Sequence, residues 1–538
     1  MKIAKYFTKR NIINSAIYSA LFSFTFFFFG VIEIYYSNYK EFWFSLNDLL
    51  LIAGVTFVCV WALLTFIFMF LPKKIKGYAV AIIFGLGVGV YIQGNFMVVN
   101  YGTLDGNEIA WMDYDKWALI NSTIWMVIMA IPVLLFKYKK KLFIQIVKWL
   151  SLCLILVQVT TLTVLFFTVD TESDKISHYL SEEDMFTVSS DKNVITFVLD
   201  TFDGGLMTDI LKTHSEEIEE RFKDFTLYKN AVGCATRTTR AMPYILTGEF
   251  FVKQAPYREY IANAYAHTDF YRQLKESNFD TRIFTDPVYV SEAEMDVIDN
   301  IVDRKMEISA HTEMAKLLYQ FTAFRYAPHL LKRYFWFYGN DFNLLQSAQG
   351  DAPYTIHDTK FYGKLLDQGL TVTEEKNVFR LFHMEGAHGL YLMDEYGKRV
   401  PYGDSTEERQ ARGALMIVST YLEMFKATGH YDSATIFIIA DHGFRNTEHN
   451  VLLMAKLPGD SKPFTISEAA VHYENLMPSW EEAFMPREDI QGTPIREVTA
   501  TEHVNSLFYI DVTPFFINGK AYDADSATPA GTLLPQAQ

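Results

Sequence analysis

The run Thr435-Ile-Phe-Ile-Ile-Ala-Asp-His-Gly443 decides the fold. Its first six residues are uncharged and read as a short buried strand. The strand breaks into Asp441 and His442, two metal ligands of different chemistry at its C-terminal end, and Gly443 leaves the backbone room to turn. Open α/β sheets place their ligand sites at that edge. A second run, Val194-Ile-Thr-Phe-Val-Leu199, also ends in an acid, Asp200. A Thr-rich segment, Thr236-Arg-Thr-Thr-Arg240, follows, and then Pro243-Tyr-Ile-Leu-Thr-Gly248. Acid, hydroxyl, acid and imidazole together make a divalent-metal site with a built-in nucleophile.

Outward from these strands, residues 193–457 alternate between short apolar runs and amphipathic segments. The spacing predicts helices over 207–222, 269–277 and 405–428, with Gly429 as a stop, and a further strand at Thr281-Arg-Ile-Phe284. Strand and helix in alternation predict an α/β domain with a mostly parallel sheet between helices. Beyond Leu457 the chain is richer in Pro and loops, which predicts a smaller C-terminal subdomain. Residues 526–538 read as a disordered tail.

The front of the chain is different. Half of the 538 residues are hydrophobic and 16% are aromatic. They concentrate in five uncharged runs, 12–32, 49–71, 77–99, 117–136 and 149–169. Each matches the roughly 20 residues that cross a bilayer core. The third holds Gly85, Gly87, Gly89, Gln93 and Asn95, so a buried hairpin is an alternative there. Residues 1–169 therefore form a five-helix transmembrane domain, 170–192 an acidic linker, and 193–525 the catalytic domain. Lys2, Lys5, Lys9 and Arg10, then Lys73, Lys74 and Lys76, then Lys137, Lys139, Lys140 and Lys141 occupy alternate ends of the spans. The positive-inside rule puts these in the cytoplasm, which leaves everything after Val169 extracytoplasmic. Trp43, Trp111, Trp117 and Trp149 lie near span ends, as interfacial anchors do.

The net charge of −15 argues against nucleic acid as a partner. Cys59 and Cys153 fall within spans, so Cys234 is the one cysteine beyond them and has no partner there for an intrachain disulfide.

In this order and spacing, the segments Asn193-Val-Ile-Thr-Phe-Val-Leu-Asp200, Leu246-Thr-Gly248, His383-Met-Glu-Gly-Ala-His388 and Asp441-His-Gly443 resemble the alkaline phosphatase superfamily in its sulfatase-like branch. Five spans followed by such a domain also look like lipoteichoic acid synthases and lipid phosphoethanolamine transferases. A sulfatase carries Cys-x-Pro-Ser-Arg ten residues before the Gly of Leu-Thr-Gly. Counting back from Gly248 lands on Thr238, and Cys, Pro, Ser and Arg are all missing. Counting from Pro243, as the phosphoethanolamine transferase pattern suggests, also lands on Thr238.

The resemblance implies Asp200, Thr238, Asp441 and His442 as ligands of a divalent cation, zinc or manganese, with Thr238 as nucleophile and Thr236 its competitor. Asp200 has an alternative reading as a helix N-cap, and Asp203 as a turn residue beside Gly204-Gly205. Arg237 and Arg240 are placed to hold phosphate oxygens, or are exposed loop arginines. His388, flanked by Gly386 and Gly389, and His383 are candidates for proton transfer, and His449 for substrate contact. Cys234 lacks the spacing of a modified nucleophile.

The function this implies is a membrane-embedded phosphotransferase. It would move a phosphoglycerol or phosphoethanolamine head group from a membrane phospholipid onto a surface glycan, glycolipid or polymer. A hydrolase using water at the same site is the second reading, and a non-enzymatic surface protein the third.

Overall fold

The computed structural model describes residues 6–39, 42–99, 101, 109, 111–169, 171, 178–250, 257–303, 310–337, 352–445, 447–510 and 513–530. The chain divides into two units, Met1–Ser177 with Arg304–Gly350, and His178–Asp303 with Asp351–Gln538.

In the first unit, five helices among the described residues are long and apolar enough to cross a membrane. They are α1 (Lys9–Asn38), α2 (Leu46–Phe70), α3 (Lys73–Phe96), α4 (Asp115–Tyr138) and α5 (Lys140–Thr168). The third span, for which a hairpin was the alternative, is one continuous helix, and its glycines serve packing. A Cβ on Gly77 would lie 1.9 Å from the Phe136 ring, and one on Gly89 2.3 Å from the Trp125 ring. Without side chains there, α3 admits the aromatic side chains of α4 against its backbone, as small residues do in membrane bundles. Gln93 Oε1 accepts from Asn121 Nδ2 at 2.8 Å and from Trp125 Nε1 at 2.9 Å. Thr25 and Gln158 pair between α1 and α5 in the same way.

Residues 304–350 depart from the sequence reading, which placed them in the catalytic domain. Their helix His311–Tyr326 buries Met314, Leu318 and Phe324 in a cluster with Tyr35, Phe42 and Trp43. Glu33 of α1 receives Arg325 at 2.9 Å and the Tyr326 hydroxyl at 3.1 Å. An amphipathic helix shows in sequence that it must bury a face, but not against what.

The second unit is built on a seven-stranded sheet. In chain order the strands are β1 (Asn193–Leu199), β2 (Thr226–Tyr228), β3 (Phe279–Phe284), β4 (Asn377–Met384), β5 (Thr435–Ala440), β6 (Leu453–Lys456) and β7 (Thr465–Ser467). Their spatial order is β7-β2-β6-β5-β1-β4-β3. The four strands β5-β1-β4-β3 are parallel, and β6 runs antiparallel beside β5. Every residue of β1 and β5 is buried, which is why both read as near-continuous apolar runs without a charge. The register aligns Phe197, Phe382 and Phe284 across β1, β4 and β3, with ring centroids 5.2 and 5.1 Å apart. Tyr421, on the helix Glu407–Ala427, packs edge-on to Phe197 and seats that helix on the sheet. Beside this ladder, Arg380 is wholly buried and pairs with Asp280 at 2.5 Å, while Arg282 adds a second bond to the same carboxylate at 3.1 Å.

Four helices matter for the site: α6 (Gly204–Arg221), α7 (Thr238–Thr247), α8 (Asp358–Gln368) and α9 (Glu407–Ala427). A three-stranded antiparallel sheet, His503–Ile510, Thr513–Gly519 and Ala527–Pro529, forms the C-terminal part. Two boundaries differ from expectation. The segment read as a linker contains strands at His178–Leu180 and Thr187–Ser189, and the segment read as a tail begins with the strand Ala527–Pro529. Three-residue strands are too short to show an alternation. Residues 172–177 and 531–538 lie outside the described residues.

Candidate functional site

Strand register sets the site. Leu199 of β1 lies opposite Ala440 of β5, so the next residues, Asp200 and Asp441, emerge side by side at the C-terminal edge of the sheet. Leu199 also lies opposite Met384 of β4, which brings His383 to the same edge. Ligand atoms of Asp200, His383 and Asp441 all fall within 4.8 Å of one another. His442 Nε2 stands 3.8 Å from Asp200 Oδ1 and 3.5 Å from Asp441 Oδ2. Thr238, the first residue of α7, places its Oγ1 3.4 Å from His442 Nε2. Its hydroxyl therefore sits where a helix N-terminus favours an anion.

The side chains around these atoms fix their orientation. Asp441 Oδ1 accepts the backbone N–H groups of Thr201 at 2.9 Å and of His442 at 2.7 Å, while its buried Oδ2 has no hydrogen-bond partner. His442 Nδ1 donates to the Gly443 carbonyl at 2.8 Å, which turns Nε2 toward the two carboxylates. His383 Nδ1 meets the Thr285 hydroxyl at 3.0 Å, and its buried Nε2 is without a partner. Thr201, with φ of 59°, hydrogen-bonds Asp200 Oδ1 at 2.5 Å.

The electrostatics follow from crowding two carboxylates under cover. Burial and the charge of Asp441 push Asp200 up to about 7. Burial would raise Asp441 as well, but the His442 and His383 imidazoles, the bond from Thr201 and the nearby Thr238 hydroxyl hold it below the usual carboxylate range. Burial drives His383 down to about 4, so it is a neutral imidazole near pH 7. His442 is raised: burial opposes its charge, and the Asp441 and Asp200 carboxylates overcome that. Two unpartnered buried ligand atoms facing paired carboxylates are the groups a divalent cation would satisfy, so the donor set of carboxylate, imidazole and hydroxyl fits such an ion.

Asp200, Thr238, Asp441 and His442 come together here, and so does His383, which the sequence reading gave a proton-transfer role. Its strand position and lowered pKa suit a ligand better than an acid. His388 lies in the turn after β4, near enough to Asp200 to lower that residue's pKa. Arg237 is exposed at the N-cap of α7, and Arg240 stands one turn along, beside Tyr257 and Tyr260. Thr236 is held by its backbone N–H to Tyr509 O at 3.1 Å. His449 does not join the cluster. Its Nε2 bonds Ser526 Oγ at 3.0 Å, its ring packs on Phe508, and a backbone bond to Ala521 uses its remaining capacity. Asp203 caps α6 through Leu206 N at 2.7 Å and also meets Arg445. Cys234 is fully buried, and its thiol is pushed well up by burial and by Asp441. Thr201 and Thr285 carry no local signature, and only the fold brings them to the site.

No protein-family model and no curated protein sequence matches the chain. Solved structures of the alkaline phosphatase superfamily are similar to it. A superfamily protein from Vibrio parahaemolyticus is 13% identical over 65% of this chain and 84% of its own, with a TM-score of 0.37. The C-terminal periplasmic domain of EcEptC from Escherichia coli is 12% identical over 67% of this chain and 98% of its own, with a TM-score of 0.34. The lipoteichoic acid synthase LtaP from Listeria monocytogenes is 10% identical over 63% of this chain and 84% of its own, with a TM-score of 0.35. The chemistry of the site rests on its own side chains.

Proposed function

We propose that the protein is a membrane-embedded, metal-dependent phosphotransferase. It moves a phospholipid head group onto a hydroxyl of a surface glycan, glycolipid or polymer, with the catalytic domain on the extracytoplasmic side. The observation that carries the reading is the Thr238 hydroxyl at a helix N-terminus, 3.4 Å from His442 and beside the Asp200–Asp441 pair. Asp200, Asp441, His442 and His383 would hold zinc or manganese with Thr238. Such an ion, when bound, lowers the pKa of the hydroxyl and offsets phosphate charge.

Thr238 loses its proton to water, and its oxygen attacks the head-group phosphorus. The P–O bond to the lipid alcohol breaks, and protonated His388 gives its proton to the departing oxygen. An acceptor hydroxyl then passes its proton to His388, attacks the phosphothreonine diester and expels the Thr238 oxygen. The α7 N-terminus favours the phosphate charge throughout. Five apolar helices on the same chain support a lipid donor, since anchoring alone needs only one.

A sulfatase route is disfavoured by the nucleophile. The Thr238 side chain carries a methyl group and yields no aldehyde on oxidation. The full-length protein given a head-group-labelled phospholipid should carry label on the Thr238 peptide, and Thr238→Ala should neither trap label nor turn over. Label on Thr236 would move the nucleophile by two residues. Arylsulfate hydrolysis that survives Thr238→Ala would refute the mechanism.

A further inference from the structure

The turn that carries His388 is held at both ends by buried side chains from two different helices. At its start, Asp358, the first residue of α8 and wholly buried, accepts Glu385 N–H at 2.7 Å and Gly386 N–H at 3.1 Å, one on each carboxylate oxygen. Glu385 returns the bond, its Oε2 accepting Asp358 N–H at 3.0 Å. At its far side, Gln410 of α9, 4% exposed, donates from Nε2 to the His388 carbonyl at 2.6 Å. Its Oε1 accepts Leu392 N–H at 2.8 Å and Met393 N–H at 3.3 Å. Between these anchors His388 N–H bonds Glu385 O at 3.0 Å and Ala387 N–H bonds Asp200 O at 2.8 Å. The turn therefore has fixed points on α8, on α9 and on the residue that closes β1.

We infer that Asp358 and Gln410 are positioning residues that fix His388 for proton transfer to the leaving group. A buried carboxylate that spends both oxygens on two successive backbone N–H groups specifies the path of a turn, as does an amide that bonds backbone on either side of it. This rests on the reading of His388 as the general acid. As the Thr238 O–P bond forms and the P–O bond to the alcohol breaks, the proton on the His388 ring passes to the alcohol oxygen. An alkoxide needs that proton and a nitrophenolate does not.

Leaving-group dependence separates this role from packing. The full-length protein would be assayed on two phosphodiesters of one head group, a p-nitrophenyl ester and a simple alkyl ester. A group that gives a proton in the transition state contributes about 10²–10⁴-fold, so His388→Ala should lose that much on the alkyl ester and less than about tenfold on the nitrophenyl ester. Misplacement on the order of 1 Å costs about 10²-fold, so Asp358→Ala and Gln410→Ala should lose roughly that on the alkyl ester alone. Gln410→Glu keeps the acceptor for Leu392 and Met393 and should recover part of the loss, which also covers the case in which Asp358→Ala does not fold. If His388→Ala discriminates between the esters but Asp358 and Gln410 variants lose both equally, or lose neither, these residues do not position the acid and the inference is overturned. If His388→Ala itself loses both alike, it is the acid assignment that fails, and the inference with it.

Discussion

Gly386→Ala tests the packing on which the site depends. Gly386 has φ of 59°, and a Cβ there would lie 2.5 Å from Asp200 N, 2.7 Å from Asp200 O and 2.7 Å from Leu199 C. All three are backbone atoms at the end of a strand paired on both sides, so none can swing away. The left-handed conformation costs a non-glycine residue about 1–2 kcal/mol. Overpacking adds about 1–3 kcal/mol. Lifting the turn by the distance the new methyl needs, on the order of 1 Å, stretches the Ala387–Asp200 bond and forfeits about 1 kcal/mol. The total is about 3–6 kcal/mol, which for a domain of this size lowers the melting temperature by roughly 10 °C. Turnover should fall by about 10²-fold, because the same displacement moves His388. Gly363→Ala is the control: it lies inside α8 with nothing within 4 Å of its new Cβ, and should stabilise by about 0.5–1 kcal/mol. Thermal melts and turnover of the full-length protein in detergent read both effects. A Gly386→Ala protein with wild-type melting and turnover would refute the described approach of the turn to Asp200.

Three further outcomes are expected. Asp280→Asn strands the buried Arg380 and should cost about 3–5 kcal/mol near neutral pH. Burial alone would raise Asp280, but Arg380 and Arg282 hold it below its ordinary 3.8, so its stabilisation is complete above that value and is lost as pH falls through the depressed pKa. The gap between wild type and Asp280→Asn in urea melts should accordingly narrow only below pH 3.8. Replacing both Asp441 and His442 by Ala should remove bound metal, read by elemental analysis, and turnover, while the sheet still folds; full metal occupancy would sink the ligand assignment. A cysteine introduced at Lys139 should stay unlabelled by an impermeant thiol reagent in intact cells, and labelling there would reverse the orientation.

The two strands that lead into Asp200 and Asp441 were legible because both are buried on each side, so no charged residue breaks either run. Their adjacency was not legible, since it depends on β1 lying between β4 and β5 rather than on anything local. His383 shows the same limit. Its place at the end of an apolar run suggested a functional histidine, but only the pairing of β4 with β1 brings its ring to the two carboxylates. His449 failed in the opposite direction: close in sequence to His442, it is claimed by Ser526, a residue the composition assigned to a tail. The five long apolar helices were plain from charge-free length alone. The return of His311–Tyr326 to that bundle was hidden, because its apolar face would have suited either unit equally well.

The register that sets Asp200 against Asp441 has an evolutionary corollary. The distance between the two carboxylates is written in the ladder of β1 and β5 and not in the chain that joins them. Joining segments that carry none of the site residues can lengthen, shorten or be diverted without altering the reactive geometry, as long as the chain re-enters the sheet in step. The diversion of residues 304–350 into the helical unit, between β3 and β4, is one such use of that freedom. Lineages that retain this core should therefore differ most in the joining segments, and an insertion there should be neutral to chemistry where a single-residue slip within β1 or β5 abolishes it.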